Sequence, residues 1–197
     1  MRSHRTTTVI AIAMALTVAP ALAACSTATP ETPAASSAAD AAAPADVMFA
    51  QMMIPHHAQA VEMSTIMLEK EGMPTEVREL AQQIADEQEP EIAQMRGWLD
   101  DWGMPEMGDM GDMGGHAGHG GMDGMLSEEQ LDELRAATGD DAVRLFLEQM
   151  IAHHEGAIEM GRDVLDDGRH PDVRAFAERM IDAQQAEIDT MREWLAR

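Results

Sequence analysis

Two histidine doublets are the residues best placed to do chemistry in this chain. Each lies in a methionine-bearing segment, "QMMIPHHAQAVEM" at 51–63 and "QMIAHHEGAIEM" at 149–160. A neutral imidazole can bind a metal through either ring nitrogen, and a thioether is a soft, uncharged donor suited to Cu(I). A third segment carries the same two donor types, "GMPEMGDMGDMGGHAGHGGMDGM" at 103–125. In it Met104, Met107, Met110 and Met113 recur every third residue, and His116, His119, Met122 and Met125 follow. So much glycine without apolar periodicity reads as a loop, where exposed methionine serves no packing purpose. The bland alternative is a low-complexity linker. Structural zinc sites use Cys or a defined His/Asp set, and iron and manganese sites favour carboxylates. The expected ion is therefore copper, as Cu(I), Cu(II) or both, with another transition metal the remaining alternative.

Other chemistries find little support. Cys25 is the single cysteine, and it follows "LAA" behind a basic "MRSHR" and an apolar "VIAIAMALTVA". That order matches a bacterial lipoprotein leader over 1–24, with Cys25 lipidated as the new N-terminus; an ordinary secretory leader is the plainer alternative. The expected location is extracytoplasmic, with a lipid anchor in the cell membrane. A lipidated cysteine leaves no thiol for nucleophilic catalysis, and no G-x-S-x-G or phosphate-cradling loop occurs. Residues 25–45 continue as an Ala/Pro/Ser/Thr tether. Loss of 1–24 removes Arg2 and Arg5 and no acid, leaving 11 basic and 36 acidic residues, a net charge of −25. Such a surface repels nucleic acid and attracts cations.

The elements that must position the donors come in duplicate. Residues 49–63 align with 146–160 at an offset of 97, and "VRELAQQIADEQEPEIAQMRGWL" aligns with "VRAFAERMIDAQQAEIDTMREWL" at an offset of 96. Each copy breaks once, at "EGMPTE" or "DGRHPD". There Gly72 or Gly168 can end one helix and Pro74 or Pro171 can begin the next. The pattern predicts long helices over about 46–71, 75–101, 141–167 and 171–196. A short helix is predicted from Ser127, with Gln130 completing a capping box, through Thr138 to a stop at Gly139. The folded part, 46–197, thus comprises repeat one (46–101), the 103–125 loop, the 127–138 helix and repeat two (141–197). Two helical hairpins predict an all-α four-helix bundle.

At about 100° per residue, His56 and His57 fall on opposite flanks of the apolar face of the first helix. Met53 and Met63 share these stripes, as Met150 and Met160 do with His153 and His154. On the partner helices, Gln88, Glu91 and Met95, and their counterparts Gln184, Glu187 and Met191, fall within the apolar arc. A carboxylate there costs several kcal/mol unless paired or metal-bound, and the imidazoles are its natural partners. Methionines at helical spacing also fill ordinary cores, and a His–Glu pair can be a metal-free polar network.

With "MIPHH…VEM", "MIAHH…IEM" and the twofold "Q-x-x-E-I-x-x-M-x-x-W-L" in view, residues 46–197 resemble bacterial domain-of-unknown-function family 305. The resemblance implies a ferritin-like four-helix bundle, with some members associated with extracytoplasmic copper binding and tolerance. It implies metal-ligand candidacy for His56, His57, His153 and His154, with Met53, Met63, Met150 and Met160 nearby. Glu91 and Glu187 become ligands or acceptors that orient the imidazoles, and Gln88, Gln184, Met95 and Met191 further candidates. The leading expectation is a non-enzymatic lipoprotein that buffers, sequesters or transfers copper, with a copper-transfer protein as a further partner. A ferritin-like metal oxidase and a metal-free interaction module are the alternatives. Di-iron bundles normally bring Glu-x-x-His motifs, and none stands where it is needed here.

Overall fold

The fold follows the duplicated pattern. The computed structural model describes residues 42–107 and 124–197. Among them are five helices and no strand: α1 (Pro44–Glu69), α2 (Thr75–Trp102), α3 (Glu128–Ala136), α4 (Gly139–Asp167) and α5 (Pro171–Leu195). The leader, Cys25, most of the tether, and Met110, Met113, His116, His119 and Met122 lie outside the described residues. α1 and α2 form one hairpin, α4 and α5 the other, and the two join along α1 and α4. The result is a four-helix bundle with α3 laid across α1 and α4.

Local chemistry sets the element ends. α1 begins at Pro44, two residues before the expected start, because proline's fixed φ suits the first helical turn. Gly72 takes φ 74° in the α1–α2 turn. Gly103 closes α2 with φ 67°, its N–H donating to Asp100 O and that of Met104 to Leu99 O, the paired bonds of a Schellman end. Ser127 and Gln130 form the expected capping box at α3, each side chain accepting the other's backbone N–H. The C-terminal expectation for α3 is corrected. The helix stops at Ala136, and Gly139 opens α4. Lys70 Nζ donates to Arg135 O (2.9 Å) and Ala137 O (2.8 Å), satisfying carbonyls that another turn would have used.

Asp46 ties the two hairpins together. It is fully buried and accepts backbone N–H bonds from Ala43 (2.6 Å), Arg169 (3.1 Å) and His170 (3.1 Å). One carboxylate thus caps the first turn of α1 and the turn between α4 and α5. Gly168 has an extended backbone, φ −75°, so its glycine is not required by a left-handed turn. Space requires it. A Cβ there would stand 2.5 Å from Asp46 Oδ1 and 2.5 Å from Val164 O.

The interior divides into two apolar clusters. One gathers Met63, Met67, Leu80, Ile84, Phe146 and Met150 with Leu131 and Leu134 of α3. The other gathers Phe49, Met53, Met95, Trp98, Phe176 and Met180. Phe176 meets the edges of Phe49 and Trp98 at centroid distances of 6.0 and 5.4 Å. Each such side chain contributes about 1.5–3 kcal/mol on burial. The histidine doublets sit between the two clusters in sequence, on α1 and on α4. They form a polar layer between the two apolar clusters.

Candidate metal centre

All four doublet histidines are buried, three of them with no exposure and His153 with 1 %. Flank positions become fully buried because α1 packs against two helices, α2 and α4, and α4 likewise against α1 and α5. Each doublet therefore divides its labour. His57 turns to the hairpin partner, its Nε2 donating to Glu91 Oε2 of α2 at 2.8 Å. His154 does the same with Glu187 Oε2 of α5 at 2.6 Å. His56 and His153 turn to one another across the α1–α4 seam, with ring centroids 3.8 Å apart and planes at 39°. Counterpart residues thus make counterpart contacts.

The two carboxylates differ in exposure. The Glu187 side chain is 6 % exposed and that of Glu91 29 % exposed. Glu91 sits less deeply than its place in the apolar arc predicts. Glu187 also accepts from Gln83 Nε2 at 3.3 Å. Gln88 and Gln184 are buried nearby in sequence, one turn before each glutamate, and their Oε1 atoms lack a hydrogen-bond partner among the described residues. An acidic groove of about 470 Å³ between α2 and α5 reaches this region, lined by Glu76, Glu79, Gln83, Glu87 and Glu187. Burial and the neighbouring Glu187 carboxylate raise the Glu87 pKa above the ordinary carboxylate value.

Burial drives the His153 imidazole well below the usual histidine range, and the adjoining His56, His154 and His57 push the same way. The folded chain thus refuses a proton that the unfolded chain takes up. In the metal-free protein this contribution to stability is complete above about pH 6.5 and is lost as the pH falls below it. Urea midpoints at pH 7.5 and pH 5.5 should show the drop, and His153→Leu should flatten it.

The arrangement fits a soft cation. A neutral histidine that donates from Nε2 to a carboxylate carries its lone pair on Nδ1. Nδ1 of His57 and of His154 are both buried, and neither has a hydrogen-bond partner among the described residues. A buried, unspent acceptor costs about 1–3 kcal/mol, which a bound cation recovers. The thioethers bracket the layer. Met53 lies in one apolar cluster with Met160 packed against it, and Met63 and Met150 lie in the other. Met53, Met63 and Met150 are fully buried and Met160 is half-buried. Met95 and Met191 fall one in each cluster. Among the described residues no three His, Cys, Asp or Glu side chains form a ready-made chelate. Thioethers and imidazoles as donor types suit a soft ion better than a hard one. Of the 103–125 segment, Met104 and Met107 are 40 % and 44 % exposed and Met125 is half-buried.

The glutamates' unequal burial gives a prediction. Glu187→Gln should weaken copper binding about 10–100-fold, and Glu91→Gln less, because solvent already shares the Glu91 carboxylate. Competition against a Cu(I) chelator measures both.

Sequence reasoning missed several residues. Asp46 reads locally as one more acid in a first turn. Gln59, whose counterpart is Gly156, holds Leu126 through both backbone groups, donating to its O at 2.9 Å and accepting from its N–H at 2.7 Å. The departure from the repeat at position 59 was the available signal. Glu87 and Gln83, which complete the groove beside Glu187, have Ala183 and Arg179 as counterparts and carried a similar signal.

Comparison with known proteins places this geometry in context. Residues 46–195 match the family described as "Domain of unknown function (DUF305)". A DUF305 fragment from Deinococcus radiodurans is similar in structure, with 36 % identity, coverage of 79 % of this chain and 98 % of that one, and a TM-score of 0.69. A putative secreted DUF305 protein from Streptomyces coelicolor gives 34 %, 77 %, 92 % and 0.67 for the same quantities. CopM in its Cu(II)-bound form gives 33 %, 76 %, 94 % and 0.64, and CopM has also been solved in Cu(I)-bound, Ag-bound and apo forms. No curated protein shows significant similarity. With the family model matched over residues 46–195, the chain belongs to the DUF305 family.

Proposed function

We propose that this chain is an extracytoplasmic, lipid-anchored copper-binding protein that buffers, sequesters or transfers copper rather than turning over a substrate. The observation that carries the reading is the pair of buried Nδ1 atoms on His57 and His154, each without a hydrogen-bond partner among the described residues while its Nε2 is held by a glutamate. Copper is the cargo. Held neutral by burial, His153 offers a further lone pair at pH 7, and the flanking methionines supply donors that need no deprotonation. The acidic α2–α5 groove would draw cations toward Glu187.

The relatives support the choice of ion, since CopM has been crystallised with Cu(II), Cu(I) and silver. The Streptomyces coelicolor relative, described as a putative secreted protein, supports an extracytoplasmic setting, and the Cys25 leader pattern supports lipid anchoring. No helix among the described residues is long and apolar enough to cross a membrane.

The test is competitive titration of the mature protein with Cu(I), Cu(II), Zn(II) and Mn(II), with oxygen uptake followed in parallel. The reading requires a copper ion to displace zinc and manganese and Fe(II) or Cu(I) oxidation to stay at the free-ion rate. Zinc or manganese binding as tightly as either copper ion would overturn the copper assignment, and accelerated oxidation would revive the oxidase.

A further inference from the structure

The two repeats do not present the same outer face, and the difference points to a second site. A groove of about 420 Å³ runs between the start of α1 and the end of α4, lined by Met48, Met52, Met160, Asp163 and Asp167 over Phe49 and Val164. At the offset of 97, the counterparts of the first five are Leu145, Gln149, Met63, Ile66 and Lys70. Several of those residues lie beneath α3. Met63 is fully buried in the cluster that holds Leu131 and Leu134, and Leu145 and Ile66 pack against it. Lys70 Nζ donates to Arg135 O of α3 and to Ala137 O just past its end, and Gln149 Nε2 donates to Gln130 O of α3. At these positions the first face offers apolar side chains, an amide and an ammonium, with α3 packed on part of them and a groove of about 340 Å³ beside Leu145 and Gln149. The second face, among the described residues, offers thioethers and carboxylates in their place.

That exchange has a chemical direction. Met48 is 59 % exposed, and Met160 is half-buried, packed on one side against the apolar cluster, where its counterpart Met63 is fully enclosed. Met48 and Met52 stand one helical turn apart on α1, side by side on one face. Asp163 and Asp167 bring negative charge where the covered face has Ile66 and Lys70, and the last turn of α4 carries no basic residue. Helix-end carbonyls add to that negative field. An apolar ligand gains nothing from two carboxylates, whereas a soft cation gains from both donor types.

We infer that this groove is a second cation site, for a soft monovalent ion of the Cu(I) or Ag(I) kind, with Met48, Met52 and Met160 as ligands and Asp163 and Asp167 as charge partners. Met160 packs against the apolar cluster that contains Met53 and lies two helical turns beyond His153. It is therefore the residue through which an ion captured outside approaches the buried layer. The inference takes the ion's identity from the copper reading, whereas its location stands on the groove.

The test labels methionine methyl groups with ¹³C in the mature full chain and titrates it with Ag(I), which avoids redox change, and with Zn(II) as control. The methyl signals of Met48, Met52 and Met160 should move together with Ag(I) and stay still with Zn(II). The variant Met48→Leu/Met52→Leu, which spares Met160 because it also flanks the histidine layer, keeps the apolar volume; with its helicity checked by circular dichroism, it should bind one equivalent of Ag(I) fewer. His57→Gln/His154→Gln should leave the three methyl shifts intact. Static methyl signals, or an undiminished stoichiometry in the leucine variant, would overturn the groove site while leaving the histidine layer untouched. Shifts that follow protein concentration alone would make the groove an interface between copies and overturn it equally. Moving methyls beside a histidine variant with unaltered Cu(I) affinity would uphold the groove and sink the buried centre.

Discussion

Replacing His57 and His154 together by glutamine should weaken Cu(I) binding by about 100-fold or more, with the helical fold retained. Glutamine keeps an N–H at the end of the side chain, so the bonds now made to Glu91 at 2.8 Å and Glu187 at 2.6 Å have a replacement donor. It lacks the ring nitrogen that carries the unspent lone pair. The substitution thus separates holding the carboxylates from binding the ion. The Glu187 side chain, 6 % exposed, would otherwise be left as a buried unpaired charge, which makes alanine a poorer probe. Competition against a Cu(I) chelator, with circular dichroism on the same samples, checks both parts. An unaltered affinity would show that the two Nδ1 atoms take no part in binding.

Asp46→Ala should lower stability by about 3 kcal/mol, a fall of roughly 6–12 °C in Tm for a domain of this size. The mutation orphans the backbone N–H groups of Ala43, Arg169 and His170 at once, in a place with no exposure on the aspartate itself. Gly168→Ala should act in the same direction, because its new Cβ meets Asp46 Oδ1 and Val164 O at 2.5 Å and neither helix end can yield cheaply. Thermal unfolding of the metal-free protein measures the intrinsic loss. Copper should restore part of it, since a ligand that binds only the native state stabilises that state.

Much of the architecture was legible from local pattern. Thr75 and Pro171 open α2 and α5 at the expected positions, and the Ser127–Gln130 box caps α3 as its spacing requires. These features depend on residues within one turn of each other. What pattern could not supply depends on contacts distant in sequence. The end of α3 is set by Lys70, more than sixty positions earlier. Asp46 acts on residues 123 and 124 positions away. The histidines illustrate the same boundary. A helical wheel puts His56 and His57 on opposite flanks, correctly, yet it does not show which neighbour each flank meets. Only the assembled helices reveal that one faces Glu91 and the other His153. The five loop donors outside the described residues keep the standing that ligand chemistry alone gives them.

The contact between His56 and His153 joins the same position of both repeats. Self-contact of that kind is what an isologous homodimer places on its symmetry axis. A chain of half this length, pairing with its own copy, would assemble the same histidine layer, although both outer surfaces would then have to be identical. Fusing the halves removes that obligation. Position 70 can be a lysine that clamps a short helix while position 167 is an aspartate left facing a groove. The covalent link thus preserves a shared centre and lets the two sides of the molecule specialise.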